Sequence, residues 1–228
     1  CHGNMARILD KARHHQGFVR LDMESSEYTQ KTLSFFTDRL YVDYRHHAGV
    51  VIQSALRRSE GDINDLIRLD ARVRLCKGAY LEPPSVAYPD KADVDRAYVQ
   101  EMERLLEAGV YPAIATHDEA MIDHARRFVW ERGIGKESFE FQMLYGVRRD
   151  LQTRLREEGY HVRVYVPFGD SWYPYLMRRL AERPANMLFM AGSIMKEARG
   201  GGIGKPAAAV GAGILAGVLA TLAFRRRR

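Results

Sequence analysis

Four residues near position 178 have the types and the spacing to bind a small carboxylate. Tyr175, Arg178, Arg179 and Glu182 stand at i, i+3, i+4 and i+7, so in a helix they share one face. Two guanidinium groups on such a face can hold a carboxylate by charge-assisted hydrogen bonds. Arg178 and Glu182 could instead be an ordinary solvent-exposed ion pair, since such i,i+4 pairs are common and weak.

A second candidate segment is a predicted strand that ends in Lys77 and is followed by Gly78 and Tyr80. Glycine at this point permits close approach of another group to the backbone. Cations at a strand end, here Arg74 and Lys77, favour an anionic ligand. Lys77 could alternatively form a Schiff base with a carbonyl substrate, as in barrel aldolases, or extend to solvent.

Short apolar runs and amphipathic stretches alternate six times along the chain. The predicted strands are residues 18–23, 49–54, 73–78, 112–116, 139–144 and 162–166, and the predicted helices are residues 5–14, 27–40, 59–69, 91–108, 119–132, 148–158 and 172–183. This alternation predicts parallel strands covered by helices. Polar residues stand at the end of every strand, which favours a ring of strands over an open sheet with one switch point. They are Asp22, Gln53, Lys77, Thr116 with His117, Gln142 and Tyr165.

The predicted fold is therefore an α/β, (β/α)8 TIM-like barrel of which about six of the eight strands are present. We expect two strands to precede Cys1, and we expect a chain without them to be poorly stable and inactive. Residues 1–199 would form the partial barrel, 200–206 a Gly-rich linker, and 207–228 an apolar tail that ends in an arginine cluster.

Composition narrows the classes of function. The formal charge is +6, but residues 225–228 are all arginine and supply four of it. The rest of the chain is nearly neutral and has no basic stripe with interleaved aromatics, which argues against nucleic-acid binding. Two cysteines, Cys1 and Cys76, are too few for a disulfide framework and fit a reducing, cytoplasmic location. Neither histidine pair, at 14–15 or 46–47, stands at a strand end, so no metal site is predicted.

With these segments in order, the sequence resembles the proline dehydrogenase family, which includes the first catalytic domain of bifunctional proline-utilisation proteins. The most specific segments are Lys-Gly-Ala-Tyr at 77–80 and Tyr-x-x-Arg-Arg-x-x-Glu at 175–182. The others are Arg-Leu-Asp-Met-Glu at 20–24, Val-Ile-Gln-Ser at 51–54, Ala-Thr-His-Asp at 115–118 and Phe-Glu-Phe-Gln-Met-Leu-Tyr-Gly at 139–146.

The resemblance implies a flavoenzyme that uses FAD to oxidise L-proline to 1-pyrroline-5-carboxylate, the first step of proline degradation to glutamate. Electrons would pass to a membrane quinone, and a 1-pyrroline-5-carboxylate dehydrogenase would be a partner. The family also uses a lysine on the second barrel strand. No residue before Asp22 supplies it, because Lys11 lies in the first predicted helix.

The same resemblance assigns roles to residues. Arg178 and Arg179 would bind the proline carboxylate, and Arg74, beside the flavin, would stabilise the negative charge that develops there. Arg74 and Tyr165 are the expected catalytic residues. The expected substrate-binding residues are Tyr80, Tyr165, Tyr175, Arg178, Arg179 and Asp22. The expected FAD-binding residues are Met23, Gln53, Arg74, Lys77, Gly78, Ala79, Thr116, His117, Gln142 and Glu182.

The apolar tail offers a membrane contact. Residues 207–224 form a run of 18 uncharged residues, just long enough to span hydrocarbon, and Gly213 and Gly217 would permit close helix packing there. A flexible extension is the alternative reading. A membrane helix would hold the enzyme at the inner face of the plasma membrane. Two other functions stay open: a lysine-dependent barrel aldolase that uses Lys77, and an inactive, membrane-attached barrel remnant.

Overall fold

The computed structural model describes residues 1–166 and 168–170. Its elements lie in one compact unit, Cys1–Tyr145 with Arg149–Tyr165. The strands are β1 (Val19–Leu21), β2 (Ala48–Gln53), β3 (Arg72–Cys76), β4 (Ala113–Ala115), β5 (Glu140–Leu144) and β6 (His161–Tyr165). The α-helices are α1 (His2–His14), α2 (Ser26–Phe35), α3 (Tyr41–Tyr44), α4 (Ser59–Arg68), α5 (Lys91–Ala108), α6 (Glu119–Glu131) and α7 (Arg149–Glu157).

All six strands belong to one sheet, whose order β1-β2-β3-β4-β5-β6 follows the chain. Every neighbouring pair is parallel, and the sheet curls as half of a TIM-like barrel. The predicted fold class is confirmed. So are the six predicted strands, although β1 and β4 are shorter than the sequence predicts because their outer residues already belong to the connecting loops.

The two faces of the sheet differ in chemistry. In β3, Val73 and Leu75 are buried against the helices, while Arg72 and Arg74 alternate with them and point to the opposite, concave face. Strand β2 is buried along its whole length because it lies between two strands and under helices. A polar interior therefore lies inside the curl, and an apolar core lies between the sheet and its helices.

One predicted helix, residues 27–40, is wrong in its details. The α-helix α2 ends at Phe35, a π-helical turn follows over Phe36–Leu40, and α3 continues to Tyr44. Phe36, Leu40 and Tyr44 are all buried. These residues are four apart, so they share one face of the helical segment and reach the core together.

No helix among residues 1–166 and 168–170 is both long enough and apolar enough to cross a membrane. The predicted helix at 172–183, the linker at 200–206 and the tail at 207–228 lie outside the described residues. Tyr175, Arg178, Arg179 and Glu182 lie outside them too.

Candidate active site

A hydrogen bond across strand β4 fixes the central cation of the concave face. Arg74 Nε donates to Gln142 Oε1 at 2.8 Å, although Arg74 is on β3 and Gln142 on β5. Between them β4 presents Ala113, opposite Arg74, and Ala115, opposite Gln142. Because both side chains are single methyl groups, the long arginine side chain can pass over β4.

Gln142 is in turn bonded to a buried carboxylate. Its Nε2 donates to Glu140 Oε1 at 2.6 Å, and Arg163 of β6 donates to both Glu140 oxygens, at 2.8 and 2.7 Å. Burial alone would raise the pKa of the Glu140 carboxyl, but the hydrogen bonds from Arg163 and Gln142 outweigh burial and lower it. Glu140 is therefore an ionised acceptor that uses both of its oxygens.

Arg20 of β1 lies in the same interior. Its Nη1 donates to the backbone carbonyls of Arg72, at 3.2 Å, and Val50, at 3.4 Å. Burial lowers the pKa of the Arg20 guanidinium to about 9, and the nearby Glu140 carboxylate opposes that shift. Gly49, the residue opposite both Arg20 and Arg72, makes room for this crossing, because a Cβ there would lie 2.5 Å from Arg72 O and 2.7 Å from Phe18 Cζ.

The carboxyl ends of β1, β2 and β3 are joined by Gln53. Its amide donates to the carbonyls of Met23, at 3.0 Å, and Glu24, at 3.1 Å. Gly78 stands beside it with φ +94°, and a Cβ added there would meet Gln53 Oε1 at 3.1 Å. Glycine is thus favoured for its backbone angle and for its lack of a side chain.

Lys77 links the end of β3 to two helices. Its Nζ donates to Asp95 of α5 at 2.6 Å and to Asp118 at 3.0 Å. Asp118 also caps α6, because its Oδ1 accepts from the amide of Ala120 at 3.2 Å. The side chain of Lys77 is 21% exposed. Its ammonium group is an ion-pairing group, not a free nucleophile.

His117 and Thr116 shape the loop after β4. His117 Nε2 accepts from the backbone amide of Leu144 at 2.8 Å, so this ring nitrogen carries no proton and the end of β5 is bound to the loop. Thr116 is buried, and its Oγ1 accepts from the amide of Asp118 at 3.1 Å. Both side chains thus bind the backbone at the carboxyl edge of the sheet.

A sequence profile described as proline dehydrogenase matches residues 4–192 of this chain. The chain belongs to the proline dehydrogenase family. It is 50% identical over 193 residues to a proline dehydrogenase of Deinococcus radiodurans, covering 85% of this chain and 62% of that protein. It is 48% identical over 186 residues to proline dehydrogenase 2 of Bacillus subtilis, covering 82% and 61%. The chain therefore spans about three-fifths of the length of these relatives.

Solved structures agree with the family fold. The chain is similar to proline utilization A of Bdellovibrio bacteriovorus, inactivated by N-propargylglycine, with a TM-score of 0.72 and 30% identity over 78% of this chain and 21% of that one. Proline utilization A of Bradyrhizobium japonicum gives the same TM-score at 21% identity, covering 91% and 24%, and supports the fold alone. Family membership leaves the aldolase alternative for Lys77 without support.

The site residues predicted from the sequence lie at two depths in the half-barrel, at the carboxyl ends of the strands and within the strands. Asp22, Lys77 and Thr116 directly follow their strands, and Gln53 and Tyr165 end theirs, as predicted. Gln142 and Arg74 instead lie within β5 and β3. The end of β5 at Leu144 agrees with the predicted strand 139–144, and it places Gln142 two residues before that end. Gln142 and Arg74 lie deeper, where side chains from β3 and β5 meet.

Three of the remaining predicted residues have partners at this edge. Tyr80 OH donates to Glu24. Asp22 Oδ1 accepts from the amide of Met23 at 3.0 Å and lies 3.9 Å from Arg74 Nη1. Tyr165 is 42% exposed, and its backbone carbonyl accepts from the amide of Tyr145 at 2.8 Å. Asp22, Arg74 and Gln142 are therefore connected, directly or through one another.

Sequence reasoning gave no role to Glu140, Asp95 and Asp118. A signal for Glu140 exists, because it stands two residues before Gln142 in a strand and must share its face. Asp95 stands four residues after Lys91 in α5, which predicts only a helical ion pair. Its bond to Lys77, 18 positions away, depends on how the helix packs.

Proposed function

We propose that this protein is a flavin-dependent dehydrogenase that oxidises L-proline to 1-pyrroline-5-carboxylate. Family membership over residues 4–192 supports the reaction class. The observation that carries the proposal is Arg74, whose guanidinium Gln142 holds on the concave face at 2.8 Å, since both residues match positions that the family uses for FAD.

The residues at the carboxyl edge fit such a cofactor. Gly78, with φ +94°, brings the backbone close to Gln53, and the resemblance assigns both residues to FAD binding. Deeper in the half-barrel Arg74 supplies a positive charge held by Gln142, and the resemblance assigns Thr116 and His117 at the end of β4 to FAD binding as well. FAD, when bound, supplies the acceptor for the hydride that leaves C5 of proline, while the proline nitrogen loses a proton.

Arg74 contributes by electrostatics. A guanidinium that is oriented before the reaction stabilises negative charge without reorganisation, which is usually the largest catalytic term. Asp22, whose Oδ1 lies 3.9 Å from Arg74 Nη1, is a nearby carboxylate whose negative charge acts on this group. Arg178 and Arg179 would bind the substrate carboxylate, and Tyr80, Tyr165 and Tyr175 would enclose the ring, as the resemblance implies.

The electron acceptor and the partner are further parts of the proposal. A quinone dissolved in the bilayer would take the electrons, and residues 207–224, followed by four arginines, would hold the enzyme at the inner face of the membrane. A separate 1-pyrroline-5-carboxylate dehydrogenase would consume the product. The resemblance to bifunctional proline-utilisation proteins, whose first catalytic domain is a proline dehydrogenase, supports such a partnership.

An absorption spectrum of the complete protein, which includes the two strands expected before Cys1, tests the reaction. The protein should show flavin bands that L-proline bleaches, because hydride transfer reduces the flavin, and D-proline should leave them unchanged. Replacement Arg74→Lys should slow the bleaching by about tenfold or more, because lysine lacks the planar fork that binds Gln142. Flavin bands that L-proline does not bleach in the unchanged protein would contradict the proposal.

A further inference from the structure

Glu140 is a buried carboxylate that accepts hydrogen bonds from Arg163 and Gln142. Its side chain is 3% exposed, and the charges of Arg20 and Arg163 both act on it. It lies one strand away from Ala113 and two from Arg74 in the same row of the sheet. Glu140 does not touch Arg74, and the only link described between them is Gln142.

Gln142 could face Arg74 in two ways, because its amide has an accepting end and a donating end. Arg74 Nε is a donor, so it needs Oε1 of Gln142. An ionised carboxylate only accepts, so Glu140 needs Nε2 of the same amide. A rotated amide would set two donors against each other at Arg74 and two acceptors against each other at Glu140. Glu140 therefore selects the orientation that suits Arg74.

Arg163 keeps Glu140 in this role. Its two bonds, at 2.8 and 2.7 Å, hold the carboxylate from the side of β6, and such paired bonds from a guanidinium fix the plane of a carboxylate. The third hydrogen bond to the Glu140 carboxylate, at 2.6 Å from Gln142 Nε2 to Oε1, then runs along β5. The chain of contacts runs from the edge strand to the centre of the sheet.

We propose that Glu140 is a positioning residue that acts through Gln142 to fix the Arg74 guanidinium. The effect of Glu140 on turnover rests on the proposed function. Its effect on the orientation of Arg74 is independent of that function. The substitution Glu140→Gln is informative because it removes the charge of this acceptor. The amide oxygen can keep the place of Oε1, which accepts from both Arg163 and Gln142, but its NH2 group then faces the Arg163 Nη2 donor, so Gln142 loses a charged, fixed partner and holds Arg74 less firmly.

The orientation can be measured without flavin or proline. In the 15N spectrum of arginine side chains, the Nε–H signal of Arg74, identified by its loss in Arg74→Lys, should exchange slowly with water. In Glu140→Gln its exchange should be about tenfold faster or more, because a charge-assisted hydrogen bond is lost. The control Glu131→Gln makes the same change at an exposed position on the last residue of α6 and should leave the signal unchanged.

Turnover tests the consequence. With L-proline, Glu140→Gln should lower the rate of flavin reduction at saturation by about tenfold, with less than a twofold change in the proline concentration for half-maximal rate. In an Arg74→Lys background the same substitution should have no further effect on that rate, because its target is already removed. An equal loss in both backgrounds would show a merely structural role and overturn the inference.

The two measurements separate the two proposals. Slow exchange of the Arg74 Nε–H signal in Glu140→Gln overturns the inference, whatever the activity. Failure of the unchanged protein to reduce flavin with proline overturns the proposed function and leaves the exchange measurement decisive. Should Glu140→Gln not fold, Glu140→Asp serves, because a carboxylate one methylene shorter cannot reach Arg163 and Gln142 together, and faster exchange is again expected.

Discussion

Two buried glutamates show how partners decide the behaviour of the same residue type. Glu140 has Arg163 and Gln142 as donors, and its pKa is lowered in spite of burial. Glu101 on α5 is also buried, 5% exposed, and its Oε2 has no hydrogen-bond partner among the residues that the structure describes. Burial raises the pKa of the Glu101 carboxyl from 4.5 to about 8, although a hydrogen bond with Ser54 opposes the shift.

Glu101 should make stability depend on pH. The folded carboxyl keeps its proton between about 4.5 and about 8, where the unfolded one has lost it, so the free energy of unfolding falls as pH rises through that window and levels off above it. Glu101→Gln removes the titration. We expect the Tm of this variant to exceed that of the unchanged protein by several degrees near pH 8 and by little near pH 5, measured by thermal melts.

The control for this prediction is Glu131→Gln, which changes an exposed carboxyl and should shift the melting curve little at either pH. A Tm difference between Glu101→Gln and the unchanged protein that is the same at both pH values would contradict the prediction.

At the scale of elements, two glycines differ in whether the fold has room for a side chain at their position. Gly49 in β2 faces Arg72 O and the Phe18 ring, which a Cβ would approach to 2.5 and 2.7 Å. Gly61 in α4 has nothing within 4 Å of such an atom. The same substitution should therefore have opposite effects on stability at the two positions.

Gly49→Ala should lower the free energy of unfolding by about 1–3 kcal/mol, because the backbone oxygen of β3 cannot move aside without breaking the ladder. Gly61→Ala should raise it by about 0.5–1 kcal/mol, since alanine is the better helix former. Urea denaturation measures both. A Gly49→Ala variant as stable as the unchanged protein would show that the close packing between β2 and β3 is not required.

The elements were predictable from the sequence to different degrees. The strands follow from apolar runs bounded by turns, because a strand buried between neighbours must be apolar. The bond between Arg74 and Gln142 does not follow, because the residues are 68 positions apart and meet only through the register of β3, β4 and β5. The π turn at Phe36–Leu40 was also missed, since propensity does not distinguish it from an α-helix.

At the scale of the whole molecule, the partial-barrel architecture follows from the alternation of strands and helices. The role of the tail at 207–228, which lies outside the described residues, is argued from its sequence alone. The sequence of residues 207–224 has the length of a membrane helix, and family resemblance supplies the reason for one, a quinone acceptor. Ala and Gly contribute little insertion energy, so hydropathy alone leaves an anchor and a flexible extension as alternatives.

Deletion of residues 200–228 distinguishes a membrane anchor from a flexible extension. In cell fractionation, the unchanged protein should sediment with membranes and the deletion variant should stay in the supernatant, because the only long uncharged run of the sequence is removed. Proline oxidation with a soluble dye should persist. Loss of dye activity would show instead that the tail supports the barrel, and an unchanged distribution would contradict anchoring.

The ion pairs of Lys77 hold the carboxyl end of β3 in place. One ammonium group holds the end of β3 to Asp95 of α5 and to Asp118 at the start of α6, so the backbone at Lys77 and Gly78 is held in place before any ligand arrives. A ligand that binds a backbone already held in its bound conformation loses little affinity to chain ordering. We therefore expect the backbones of the free and the ligand-bound protein to superimpose closely at this site.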